Sequence, residues 1–215
     1  MKTNLYSFID IFNKEFQVEK DIVQLRKIII PIIQRDYAQG RKSPDINRIR
    51  ERFLDSLYEA IINKPITLDF IYGDIDENGI MYPLDGQQRL TTLFLLHWYS
   101  AKKEKVSELE YSFLSNFSYE TRYSARDFCR KLIDFTPTFE KDISKEIINQ
   151  YWFPLDWKKD PTVSSMLVVL DEIHRKFHDV NNIWEELKGN AITFYFLVTQ
   201  LSQDNNESFS FRNMG

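Results

Sequence analysis

The residues best suited to chemistry fall in one stretch, Asp85-Gly86-Gln87-Gln88-Arg89-Leu90-Thr91-Thr92. The run before it alternates as a strand does, and the run after it is apolar at helical spacing, so the stretch sits on a strand–turn–helix junction. Such a junction suits an anion. The first helical N–H groups lack intrahelical partners, the dipole is positive there, and Gly86 permits close backbone approach. Arg89 adds a guanidinium able to grip phosphate oxygens in bidentate fashion, Gln87 and Gln88 add amides, and Thr91 and Thr92 add hydroxyls one turn along. Asp85 is the one carboxylate of the stretch, suited to ligating Mg²⁺ or orienting an attacking water. The competing reading is an ordinary capped helix with a surface arginine.

A second candidate set, Gln34-Arg35-Asp36-Tyr37, follows a run of isoleucines. Polar side chains at a strand end project where a cleft can form. Arg35 offers a second phosphate or base-edge contact, and Tyr37 a ring for stacking on a base. A strand end with a salt-bridged arginine and a half-buried tyrosine accounts for the same residues.

The elements that must position these groups are legible around them. Leu5, Phe8, Ile9 and Phe12 behind Thr3 predict an opening amphipathic helix, and residues 27–33, interrupted by Pro31, an edge strand or strand end. Ser43-Pro44-Asp45 is a helix start, after which Ile46, Ile49, Phe53, Leu57 and Ile61 mark one buried face. Ile66, Leu68, Phe70 and Tyr72 alternate as a strand, Asp76-Glu77-Asn78-Gly79 supplies turn chemistry, and residues 80–84 return as a hairpin. A helix is expected from Gln87 to about Lys102. Beyond the charge run Lys102-Lys103-Glu104-Lys105 we expect a strand within 111–119, a capping box at Ser124–Asp127 opening a helix, and helices over 140–151, 163–177 and 183–187. Residues 192–199 read as a strand or a buried helical turn. The expected division is a first domain over 1–104 and a mainly helical extension over 105–215.

Composition limits the partners. The 215 residues carry 28 Lys and Arg against 32 Asp and Glu, a net charge of -4, whereas a protein that coats duplex DNA through its phosphates is basic. The single cysteine, Cys129, excludes an internal disulfide and a multi-cysteine zinc site. The start shows no signal peptide and no apolar run approaches membrane-spanning length, so a soluble cytoplasmic protein is expected. His174 and His178 stand four apart, a spacing that can bind zinc, but Arg175 stands where metalloprotease chemistry needs a glutamate. Arg122, Arg126 and Arg130 form a basic stripe that suits contact with a nucleotide or DNA or, with Glu120 and Asp127 nearby, a salt-bridged surface.

Ile30-Pro31 followed by Gln34-Arg35-Asp36-Tyr37, and then Asp85 through Leu93, resemble the two signature boxes of the GmrSD-type N-terminal family. This group of bacterial proteins includes subunits or halves of type IV restriction and other phage-defence enzymes. The resemblance is clear over residues 27–100 and looser over 152–156 and 167–177. It implies an α+β fold of the ParB/sulfiredoxin type, with a small mixed sheet and a nucleotide pocket beside the helix after the signature strand. It further implies binding or hydrolysis of a nucleoside triphosphate with Mg²⁺. Asp85, Gln87 and Arg89 would be the catalytic groups, with Asp85 on the metal through the nucleotide. Gly86, Gln88, Thr91, Thr92, Gln34, Arg35 and Tyr37 would complete the nucleotide site.

The chain departs from the family pattern at Gln39, where relatives commonly carry an aromatic residue. Relatives also continue, often into an HNH-type nuclease, so the resemblance leads us to expect a shortened form that does not cleave DNA alone. His97, His174 and His178 lack the surroundings of such a nuclease. Two readings stand: a nucleoside-triphosphate-binding domain of a restriction or anti-phage system, or a non-catalytic DNA-binding or subunit-docking module of the same fold. A basic strip of Arg35, Arg41, Lys42, Arg48 and Arg89 would serve the second.

Overall fold

The computed structural model describes residues 5–18, 21–31, 36–41, 43–120 and 123–200. The chain enters through a two-residue strand β1 (Leu5–Tyr6) and a one-turn helix α1 (Asp10–Asn13). The longer opening helix does not form, because Leu5 and Tyr6 pair with a distant strand opposite Tyr195 and Phe194; tertiary pairing overrides local periodicity here. A small separate hairpin, β2 (Glu15–Val18) and β3 (Asp21–Gln24), follows. Strand β4 (Lys27–Ile30) is not an edge strand: it is flanked on both sides, and Pro31 lies just past its last paired residue, where a missing N–H breaks no ladder.

Helix α2 (Pro44–Ile62) starts as expected, with Ser43 Oγ accepting from the Ile46 amide and proline at the first helical position. Its buried face is rotated from the expected one. Ile49 is 55% exposed, while Arg50 is buried, its guanidinium donating to the Gln39 carbonyl and the Asn47 side chain. The hairpin β5 (Ile66–Ile75) and β6 (Ile80–Asp85) then leads through Gly86 into α3 (Gln87–Lys103). Of the strand expected within 111–119 only β7 (Phe117–Tyr119) forms, after the one-turn helix α4 (Glu108–Tyr111) and a 3-10 turn over Ser112–Asn116. Helix α5 (Tyr123–Asp134) has no capping box at Ser124, whose hydroxyl instead donates to the Asp160 carboxylate. Helices α6 (Ile143–Ile148), α7 (Pro161–Phe177) and α8 (Ile183–Lys188) follow, then β8 (Ile192–Gln200), so the last apolar run is a strand.

The main sheet has six strands in the order β1-β8-β5-β6-β4-β7. β8 runs parallel to β5 and antiparallel to β1, β5 antiparallel to β6, and β4 parallel to both β6 and β7. Strands from beyond residue 105 thus sit in the same sheet as the hairpin, on both sides of it. The fold class is α+β. One face of the sheet is buried through Ile28, Ile30, Ile71, Ile75, Met81, Phe117, Phe194 and Phe196, and α3 lies in the interior, packed on α7 and α8. From Leu90 to Lys102 every residue of α3 is buried, so it is a central helix, not an amphipathic surface one.

His97 is the one histidine of that helix, and its surroundings make it a stability determinant. Its ring is enclosed by Phe8, Phe113 and Trp184, Nδ1 bonds the Leu93 carbonyl at 2.7 Å, and Nε2 is buried with no partner. Burial therefore lowers its pKa from 6.5 to about 4, against the opposing pull of the Leu93 carbonyl. Stability from keeping this ring neutral is fully present above pH 6.5. It is lost as the pH falls toward 4, because there the unfolded chain takes a proton that the folded chain refuses; the loss reaches about 3 kcal/mol. Urea unfolding from pH 7 to pH 4 should show this fall in the wild type and a shallower one in His97→Leu.

Candidate functional site

The junction is fixed by backbone geometry. Gly86 has φ 91°, and a Cβ there would stand 2.7 Å from Ile71 Cγ1, so a side chain is excluded both by conformation and by the β5 residue beside it. The next residues anchor the turn. Gln87 Nε2 donates to the Pro83 carbonyl at 2.9 Å, closing back on the strand it has just left. Gln88 accepts from the Ala38 amide at 2.8 Å and donates to the Asp36 carbonyl at 3.0 Å, so its side-chain amide pairs with residues 36–38 as a strand neighbour would. The two candidate sets are therefore in contact, and Gln88 is the link. Gln34 and Arg35 lie outside the described residues.

Several of the expected ligand contacts are turned inward. Tyr37 is 1% exposed, its amide donates to Thr162 Oγ1, and its hydroxyl meets Thr92 Oγ1 at 2.8 Å. Burial pushes the hydroxyl pKa upward, although the Thr92 bond and the Arg50 charge act the other way. A ring enclosed in this way presents no face to a base. Thr91 and Thr92 are also buried: each hydroxyl donates to the carbonyl four residues back, Gln87 or Gln88, and Thr91 Oγ1 also meets Tyr119 OH at 2.8 Å. These hydroxyls serve the interior and leave no atom for a phosphate.

Asp85 and Arg89 are different. The Asp85 side chain is 57% exposed and lies 3.1 Å from Arg89 Nη2, which also donates to the Phe70 carbonyl at 2.6 Å. Arg89 Nη1 is 3.9 Å from Asp69, and Nε is buried without an acceptor. Arg89 lines a cleft of about 460 Å³ between α2 and β5, with Ile49, Phe53 and Leu68 supplying apolar wall and Ser56, Thr67 and Gln39 polar atoms. That volume is within the range of small-molecule sites. The Gln39 side-chain oxygen is likewise buried without a donor. The first three amides of α3 precede its first intrahelical bond, which runs from Leu90 to the Gly86 carbonyl, and no side chain caps them.

Gln39, Ile49 and Phe53 were not legible as cleft residues. The apolar repeat of α2 assigned Ile49 and Phe53 to the core, and the one signal against it was Arg50 interrupting the stripe. Among the described residues no group of three or more His, Cys, Asp or Glu side chains could hold a metal. The donor set at Asp85 fits only a cation that takes most of its oxygens from phosphates and water, as Mg²⁺ does. His174 Nδ1 bonds Tyr99 OH and His178 Nε2 lies 2.9 Å from Asp179. Arg126 and Arg130 are ion-paired with Asp127, and Cys129 is a buried packing residue.

Fold and site together define an α+β domain with a cleft of mixed polar and apolar lining, reached by Arg89 from the first turn of its central helix. The chain belongs to the family described as the GmrSD restriction endonuclease, N-terminal domain, whose model matches residues 10–213. Membership ties the domain to restriction-type defence, and through it to DNA. Comparison with curated proteins and with solved structures gave no significant match. No helix among the described residues is long and apolar enough to cross a membrane.

Two substitutions separate anchoring from chemistry. Gln88→Ala leaves the Ala38 amide and Asp36 carbonyl without their partner and should lower stability by about 1–3 kcal/mol, with faster hydrogen exchange at Ala38. Gly86→Ala should destabilise by a similar amount, about 1–3 kcal/mol, through its positive φ and the Ile71 clash; chemical denaturation measures both.

Proposed function

We propose that this domain binds a nucleoside triphosphate with Mg²⁺ in the cleft between α2 and β5, as the nucleotide-responsive part of a defence system. The observation that carries the reading is the Arg89 guanidinium, which lines the cleft with Nε buried and unpartnered. Its ion pair with the exposed Asp85 contributes little in water-accessible surroundings, so a polyphosphate with more charge can displace it. Arg89 then takes the phosphate oxygens, together with the uncapped amides at the start of α3. Asp85, freed from the pair, holds Mg²⁺ alongside the phosphates or orients water for hydrolysis. Ile49, Phe53 and Leu68 offer apolar contact to the base, and Gln39, Ser56 and Thr67 offer hydrogen bonds to base or ribose.

Direct DNA binding by a basic strip is the weaker reading. Arg41 is paired with Asp36, and Arg89 is held between two carboxylates; Arg35 and Lys42 lie outside the described residues. Calorimetry of the chain against ATP, GTP, CTP and UTP with Mg²⁺ tests the proposal. At least one nucleotide should bind, and Arg89→Ala should weaken it by about ten- to a hundredfold, the range of a charge-assisted hydrogen bond of roughly 1.5–3 kcal/mol. Asp85→Asn should reduce Mg²⁺ dependence and any turnover more than nucleotide affinity. A correctly folded chain that binds none of the four, but binds DNA with a steep salt dependence, would overturn it.

A further inference from the structure

We propose that the uncovered face of the six-stranded sheet docks a protein partner whose surface is apolar at the centre and basic at the margin. Burial alternates along β4 and β7, over Ile80–Leu84 of β6, and along β5 apart from the step at Asp69 and Phe70. On β4 and β7 the helix-facing residues are Ile28, Ile30, Phe117 and Tyr119, all buried, and on the strands between β1 and β4 they are Ile71, Ile75, Met81, Phe194 and Phe196. Their neighbours point the other way, and no described element covers them. That outer face carries Phe70, Tyr72 and Leu84, each 45% exposed, with Tyr82, Tyr195 and Leu197 beside them on adjacent strands. Phe70 and Tyr195 are stacked at 4.9 Å, so the aromatic surface is preformed.

A sheet face of half-exposed aromatic and aliphatic side chains spanning three strands is not ordinary solvent surface. Such rigid aromatic side chains, with few rotamers to lose, are the groups that dominate protein interfaces.

Charge selects among occupants. The carboxylates on or beside this face include Asp69, Asp74 and Asp85, and Asp76 and Glu120 near Tyr82, with the Asp69 side chain 90% and the Asp85 side chain 57% exposed. The cations are Lys27 on β4 and Arg89, the latter 24% exposed and bonded inward to the Phe70 carbonyl. With Arg89 paired to Asp69 and Asp85 and bonded inward, the described rim leaves Lys27 to meet the phosphates of a nucleic acid stacked on the rings, too little for binding driven by the backbone. A second copy would bring the same excess of carboxylates against this one. A partner with lysine or arginine around an aliphatic or aromatic centre satisfies both the rings and the rim.

The test selects a random peptide library displayed on phage against the full chain, with counter-selection on a Tyr72→Glu, Tyr195→Glu double variant. Both positions face solvent, and circular dichroism with urea unfolding verifies that the variant folds. Enriched peptides should combine aromatic or aliphatic residues with Lys or Arg. Binding of a synthetic enriched peptide should weaken about tenfold or more in Tyr72→Ala, and should weaken in high salt. No enrichment over the double variant, or enrichment of acidic peptides, overturns the proposal. So does oligothymidylate binding that the same variants abolish, which would make the face a nucleic-acid platform. A wild-type dimer in sedimentation velocity that Tyr72→Glu dissociates would overturn it in favour of a second copy.

Discussion

The structure depends on one demand: a helix that begins with polar residues runs through the centre of the protein. Buried hydroxyl, amide and imidazole groups must find partners or carry a penalty of a few kcal/mol each. Along α3 the partners come from almost every other part of the chain. Thr91 and Thr92 reach Tyr119 and Tyr37, Gln87 returns to Pro83, and Gln88 pairs with residues 36–38. Further along, Trp98 donates to the Leu132 carbonyl, Tyr99 meets His174, and the buried Lys102 donates to Tyr111 OH. The layout around α3 is thus dictated by hydrogen-bond satisfaction as much as by apolar packing. Arg89 and His97 are the exceptions on this helix, each with a buried side-chain nitrogen left unpartnered.

That demand clarifies what the eight-residue signature does. Gly86 sets the turn, Gln87 and Gln88 hold it to the hairpin and to the first signature segment, and the two threonines seal the interior. Arg89 lines a cleft, and the exposed Asp85 carboxylate is paired with it. A motif that looks uniformly catalytic as a string is therefore divided in space, with most of its residues holding two that face outward. Reactivity at such a site rests on the precision of the anchors, because displacement of a guanidinium by an ångström alters which phosphate oxygens it can reach.

Local signals carried the elements formed by neighbouring residues. Ser43-Pro44 announced α2, Asp76 to Gly79 announced the hairpin turn, and the strand–glycine–helix sequence located the junction. Long-range pairing left no such mark. β8 enters the sheet between β1 and β5 from more than a hundred residues away, and its parallel registration with β5 depends on side-chain packing that no local pattern encodes. The same holds for Tyr37. Its polar neighbours gave it the appearance of a surface residue, whereas Thr92 and Thr162, contributed by two different helices, draw it inside. Ile49 erred in the other direction: an aliphatic residue at core spacing stands at the cleft wall because Arg50 occupies the inward position next to it.

The two surfaces meet at a single irregularity. Between Leu68 and Ile71 the pairing of β5 with β8 shifts register, so Phe70 escapes strict alternation. Its carbonyl accepts from Arg89 at the cleft, while its ring stacks on Tyr195 on the uncovered face. A flat strand could not make both contacts with one residue, since side chain and carbonyl would be held in the ladder's fixed repeat. The bulge thus ties the guanidinium of the cleft and the aromatic surface outside it to the same peptide unit, and any rearrangement of Arg89 that gives up the Phe70 carbonyl leaves that backbone acceptor to find a new partner.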